Sequence, residues 1–360
     1  MQQRRIAQLL SCIGLALLLL SPAAAAAQDS SRLSGAVRMG LEYDDNPLRL
    51  QADDPRLESD EPSLDYLHLD SDILARYFTS LDSTHRTSNN ARLRLGVRHG
   101  GKFYRQSREA DALLTEVSAG YRYPLAEHIT VMVDAEVKDR TERLSRFDYT
   151  RGGARTGLSF RPGDWRLSAR AGWRFFAYKP TPRLGSQGPQ FDAYIRRYFG
   201  ESWATEASYG LVLRDFDDDR SDAFHWGRAG LVYRGDFFID LMYVVSANRS
   251  TLESQNLTRH GLRMTLTTPL FEQFYGSARA ELQRTAVPDQ STPDALFFVD
   301  EENRNVLVAS IARPIGEDWE IEGRWSMYAE EFTDSRQQVG RIDLDYSRQT
   351  FLVALGWGFE

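Results

Sequence analysis

Three arginines, Arg166, Arg170 and Arg174, recur at every fourth residue of a segment whose alternate positions are apolar. In an extended chain this spacing puts them on one face, climbing in steps of about 13 Å. A guanidinium is planar, forked and always charged, so such a ladder suits carboxylates, phosphates and hydroxyl-rich solutes. Arg92, Arg94 and Arg98 repeat the arrangement earlier in the chain, and Arg228, Arg263, Arg279 and Arg324 occupy similar positions later. Asp134, Glu136, Glu320 and Glu322 share these faces. Two roles are open to them: a polar path for solutes, or cross-strand Arg–carboxylate pairs that stiffen a wall.

Other chemistry is harder to assemble. Acids gather in polar connections, as in Asp44-Asp45, Asp53-Asp54, Asp60-Glu61, Asp217-Asp218-Asp219 and Asp300-Glu301-Glu302. Carboxylates suit Ca²⁺ or Mg²⁺, but the spacing matches no calcium loop, and a solvated acidic surface is expected. The six histidines include no pair at metal-helix spacing, and no Gly-x-Ser-x-Gly elbow occurs. His260 falls on the parity expected to face lipid and His225 near an outer rim, neither with an evident serine partner. No catalytic set can be built, so neither an enzyme, a cofactor nor a bound metal is expected.

The elements that must position the arginines are strands. From Leu33 onward, apolar and polar residues alternate in blocks of about ten, which marks a transmembrane β-barrel. Val37, Met39, Leu41 and Tyr43 oppose Arg38, Gly40 and Glu42. Trp165, Leu167, Ala169, Ala171, Trp173 and Phe175 oppose Arg166, Ser168, Arg170 and Arg174. A second block is read near Leu69–Tyr77 and a last one over 338–359. The count is about sixteen, and an even number suits a bacterial single-chain barrel. Connections alternate between short Pro/Gly turns, such as Pro162-Gly163-Asp164, and longer polar loops. Trp165, Trp203, Phe237, Phe274 and Trp319 directly follow short turns, as an interfacial girdle requires. A soluble sandwich would share the alternation but has no reason to place aromatics there. The predicted fold is therefore an all-β, antiparallel, up-and-down transmembrane barrel over residues 28–360.

Residues 1–27 read as a cleaved signal peptide: Arg4-Arg5, an apolar run from Ile6 to Leu20, and an Ala25-x-Ala27 cleavage site. Cys12 is the only cysteine, so no disulfide or thiolate site is expected after cleavage. The formal charge of −7 becomes more negative without the leader, which argues against nucleic-acid binding. An exported chain without an apolar helix enters a membrane only as a closed barrel, and the outer membrane is the expected location, with its lipid and lipopolysaccharide as partners.

In the last strand Phe351, Val353, Leu355, Trp357 and Phe359 share one face. The stretch resembles the closing strand of Gram-negative outer-membrane barrels, which implies recognition of these residues by the barrel-assembly machinery as an insertion signal. Val37-Arg-Met-Gly-Leu-Glu-Tyr-Asp-Asp-Asn-Pro-Leu-Arg49 resembles the opening strand of exopolysaccharide-associated barrels of the "beta-barrel porin 2" type, whose first strand similarly ends in Tyr-Asp-Asp/Ser-Asn. Locally, Asp45-Asn46-Pro47 favours an Asx-type turn. The resemblance implies a porin-like conduit for export or assembly of a surface exopolysaccharide, working with periplasmic polysaccharide-export components. The alternatives are a general or anion-preferring diffusion porin, a structural or surface-attachment barrel, and a barrel enzyme.

Overall fold

In the computed structural model, the structure describes residues 30–47, 71–87, 89–143, 148–180, 182–217, 219–252, 255–286, 305–330 and 346–359. The expected leader, the acidic residues of 48–70 and Asp300-Glu301-Glu302 lie outside them. The described residues form sixteen strands. These are β1 (Ser30–Asp44), β2 (Asp72–Arg86), β3 (Arg92–Tyr104), β4 (Ala112–Ala126), β5 (Ile129–Glu142), β6 (Tyr149–Phe160), β7 (Trp165–Tyr178) and β8 (Ser186–Phe199). They continue with β9 (Trp203–Phe216), β10 (Ser221–Arg234), β11 (Phe238–Ser250), β12 (Leu257–Phe271), β13 (Phe274–Ala286), β14 (Asn305–Ile315), β15 (Trp319–Glu330) and β16 (Tyr346–Phe359). Each is antiparallel to its neighbours in the chain, and β1 pairs with β16, so the barrel is closed. Closure satisfies the backbone of every strand without an exposed edge.

Connections of two to five residues gather at one end, here called the turn end, together with the start of β1 and the end of β16; at the other end only the β9–β10 connection is as short. Gly163, Gly200 and Gly316 sit in these turns with φ of 54°, 62° and 74°, which side chains disfavour. The longer connections gather at the opposite, loop end. Aromatics belt the turn end on the outer wall. Trp203 and Phe237 flank Tyr233 with ring centroids 4.8 and 4.7 Å away, and Trp357 packs between Trp319 and Phe359. Arg197 lies over Trp165 and Phe199, and Arg313 over Phe274, so cations here rest on ring faces. Loop-ward of the belt, Leu158, Leu231, Leu241, Leu262, Leu282, Val353 and Leu355 point outward and are exposed, as a lipid-facing band requires.

Two strands depart from the sequence reading. The second runs from Asp72 to Arg86, well beyond Tyr77. Its latter half turns only Leu81 outward among Thr79, Ser83 and His85, so one aliphatic residue could not show the period. The last strand is described from Tyr346 onward, and 338–345 lie outside the described residues. A larger correction concerns the inside, which is not lined by charge alone. Val212, Phe224 and Leu257 form a buried inward cluster with Trp226 against it. Ala204, Val232 and Met242 form another, and Tyr149, Phe176 and Tyr178 a third, roofed by Leu184 from a single 3-10 turn at Pro182–Leu184. Apolar packing thus occupies part of the inner wall, chiefly on β9–β12.

Candidate functional site

The open space lies against the other wall. A cavity of about 600 Å³ is bounded by β2 to β8 and lined by eight arginines and four carboxylates. Arg92, Arg94 and Arg98 reach it from β3, Arg122 and Glu116 from β4, Asp134 and Glu136 from β5, and Arg151 and Arg155 from β6. Arg170 and Arg174 come from β7, and Asp82 from β2. The alternation that turns Leu93, Leu95 and Val97 outward is what aims Arg92, Arg94 and Arg98 inward.

Most of the carboxylates are already shared. Asp134 accepts from Arg122 Nη2 at 2.6 Å and from Arg170 Nη1 at 3.3 Å. Asp192 on β8 accepts from Arg170 Nε at 2.7 Å and Arg155 Nη1 at 3.4 Å. Arg94 donates twice to one oxygen of Asp82, and Arg98 meets Glu116 at 3.2 Å. Arg170, which has no acid in its own strand, therefore finds one on adjacent β8 and one across β6 on β5. Arg86, Arg92 and Arg122 stand abreast in the β2–β3–β4 register near the turn end. Like charges directly opposite repel, so this rung favours an anion beside it.

Glycines make room for the guanidinium layer. Arg155 lies over Gly172 and Arg170 over Gly157, each strand supplying the bare backbone the other's side chain crosses. A Cβ on Gly157 would stand 2.0 Å from the Ala169 carbonyl oxygen and 2.7 Å from Arg170 Cγ. Gly157→Ala is expected to destabilise the barrel by about 1–3 kcal/mol through overpacking, read as a lowered unfolding midpoint in detergent. An unchanged midpoint would show that the β6 and β7 backbones can part enough to admit the methyl group.

The remaining predicted residues sit elsewhere on the inner wall. Arg166 lies beside Tyr194, near the turn end of β7. Arg228 donates to Ser208 Oγ at 2.8 Å, and Arg263 and Arg279 both approach Glu281, at 3.5 and 3.1 Å. Glu320 and Glu322 hold Arg38 between them at 3.0 and 2.8 Å. Arg324 lines a second space of about 420 Å³ with Arg38, Glu42 and Arg76. Lys102, Arg140 and Arg348 also line it, and Glu42 is its single carboxylate, so this space is basic as well. Phe351, Val353 and Leu355 face outward and exposed, with Trp357 and Phe359 in the aromatic belt. His225 and His260 are on the outer wall, bonded to Tyr209 and Tyr243. Among the described residues, no three His, Cys, Asp or Glu side chains converge as a metal site would need.

Several residues went unread in the sequence. Asp82 was hidden in the weak half of β2, and Asp192 and Arg151 in blocks whose alternation is blurred by glycine. The largest omission is at the β1–β16 seam. Arg348 donates through Nε to Asp44 Oδ1 at 2.8 Å and through Nη2 to Asp44 Oδ2, while the Tyr104 hydroxyl donates to Asp44 Oδ2 at 2.5 Å. The ladder ends at Asp44, and side chains carry the seam on. Asp45 Oδ1 accepts the Gln349 N–H at 2.6 Å, and Asn46 Nδ2 donates to the Ser347 carbonyl at 2.9 Å. The Asx-type turn is present, one residue earlier than read, with Asp44 Oδ1 accepting the Asn46 N–H. In the adjoining β3–β4 connection Asp111 accepts the Tyr104 N–H at 2.7 Å; burial raises its carboxyl above the usual value and this bond partly offsets it.

No protein-family model and no curated protein sequence matches the chain. Among solved structures it is similar to an anion-selective porin from Comamonas acidovorans, with a TM-score of 0.51 at 10% identity over 92% of this chain and 100% of that one. A bacterial polysaccharide outer membrane secretin aligns with a TM-score of 0.46 at 10% identity, over 91% of this chain and 98% of that one. A triple mutant of the Rhodopseudomonas blastica porin aligns at 0.38 and 11% identity, over 92% and 100%. The chain has a porin-like barrel fold, of the kind typical of the Gram-negative outer membrane.

Proposed function

We propose that this chain is an anion-preferring conduit through the Gram-negative outer membrane, with its turn end in the periplasm. The observation that carries the reading is the cavity wall on which arginines outnumber carboxylates two to one, in a chain whose formal charge is −7. Fixed charge on the wall of a narrow aqueous space concentrates counter-ions there and sets selectivity. The similarity in fold to an anion-selective porin supports the same reading. Arg94 and Arg98 keep side-chain exposures of 60% and 52% beside their paired acids, so their guanidinium groups stay within reach of a passing anion. Arg92, Arg94, Arg98 and Arg174 form its path, and Arg170 chiefly holds the wall. No catalytic step belongs to this reading.

The physiological solute we propose is an acidic exopolysaccharide moving outward, delivered by periplasmic export components. The resemblance of residues 37–49 to exopolysaccharide-associated barrels supports this, and carboxylated or phosphorylated sugars are what guanidinium grips. The closing strand from Phe351 to Phe359 is the segment proposed to be read by the assembly machinery. In planar bilayers under a salt gradient, the protein is expected to conduct with a zero-current potential on the anion-preferring side. Cation preference would overturn the reading, and silence at all voltages would favour a closed, structural barrel. Removal of the chain from its host should deplete surface exopolysaccharide; unchanged levels with intact anion conductance would leave a diffusion porin.

A further inference from the structure

On the outer wall, the faces of β10 to β13 hold no carboxylate among the described residues. Leu241, Leu262 and Leu282 form their apolar band. Just loop-ward of it, the Tyr243 hydroxyl meets His260 Nδ1 at 2.6 Å. Arg284 stands directly opposite His260 in the β12–β13 register, and Arg249 follows higher on β11. Both arginines are exposed, and neither has an ion pair among the described residues.

Several outward cations elsewhere have partners. Lys179, at the loop end, meets Asp139 at 2.9 Å, and Arg197 and Arg313 at the turn end lie on aromatic rings. Among the described residues Arg249 and Arg284 have neither, and a charge at the edge of lipid is costly unless an anion or the interface receives it. An anion from the surrounding membrane can take that place. Guanidinium, imidazole and phenol together offer several N–H and O–H donors, a set suited to phosphate oxygens. Apolar residues immediately below would meet acyl chains.

We infer that Tyr243, His260 and Arg284, with Arg249 above them, form a docking site for the phosphorylated sugar headgroup of an outer-leaflet glycolipid. The inference rests on the outer-membrane placement proposed above but not on what crosses the lumen. A further such pair, Tyr209 with His225 at 2.7 Å, continues the row onto β9 and β10, and a third, Tyr77 with His99 at 2.6 Å, lies apart on β2 and β3.

The test is titration of the folded protein in detergent with bis-phosphorylated lipid A, read by native mass spectrometry. Arg249→Gln combined with Arg284→Gln is expected to weaken binding about tenfold, a change of about 1.4 kcal/mol. Heat-shifted gel migration and ion selectivity should stay as in the parent, because both side chains lie outside the lumen. Lipid A stripped of its phosphates should bind the unaltered protein equally weakly, a comparison that does not depend on the variant folding. Equal binding of both lipids would overturn the site. So would displacement of lipid A by millimolar inorganic phosphate, which would mark a free-anion site instead. Cation preference in the unaltered protein, with its lipid A binding intact, would sink the conduit and leave the docking site standing.

Discussion

Asp44→Ala is expected to cost the barrel about 3–5 kcal/mol, because it strands a buried guanidinium. Asp44 is 0% exposed and Arg348 6%, so water cannot replace the lost carboxylate. The Tyr104 hydroxyl, 3.1 Å from Arg348 Nη2, would be the cation's remaining short contact. Arg348→Ala should cost less. Asp44 would keep two donors, the Tyr104 hydroxyl and the Asn46 N–H at 3.2 Å. The double variant should fall well short of the sum, since removing both partners leaves neither charge unpaired. The measurement is the temperature at which the folded, fast-migrating form disappears on a gel. Additive losses would mean that the two groups do not act as a pair. Tyr104→Phe, which removes one hydroxyl and keeps the ring, should shift the transition least.

That cluster also gives physical content to the residues on which the family resemblance rests. Glu42 receives Arg76 at 2.7 Å, Tyr43 packs against Phe351, Asp44 takes Arg348, and Asp45 and Asn46 bond the backbone of β16. The Glu-Tyr-Asp-Asp-Asn stretch fastens the first strand to the last beyond the end of their ladder. It needs no solute to explain its composition. The sequence could show the turn chemistry, which is local, but not the partner, which lies about three hundred residues along the chain.

The same division runs through the fold. Alternation made strands such as Trp165–Tyr178 legible, because one face is almost wholly apolar and the other almost wholly polar. It failed over Phe78–Arg86, where both faces mix. It also misjudged the interior: Met242, Val232 and Phe224 share parity with Asp240, Arg228 and Asp222, and parity alone does not tell packed from wet. The arginines were found by type and spacing. Which of them are already held by carboxylates depends on register between strands, which a single chain does not display.

Register is what selects the residues for the second experiment. The Arg166, Arg170, Arg174 ladder suggests reversing Arg170, but its side chain is only 27% exposed and joins Asp134 to Asp192. A glutamate there would set three carboxylates together, and the expected result is a destabilised barrel. Arg94 and Arg98 are 60% and 52% exposed, so solvent screens their pairs with Asp82 and Glu116 and those pairs hold little of the fold. Arg92 stands between Arg86 and Arg122, where reversal relieves repulsion. The combination Arg92→Glu, Arg94→Glu and Arg98→Glu is therefore expected to keep the barrel folded and to move the zero-current potential to the cation-preferring side. The glutamine versions should bring it near zero, separating charge from side-chain bulk. If the potential stays where the unaltered protein puts it while the pore still conducts, ions do not pass along the β3 wall, and the arginines there serve only the structure.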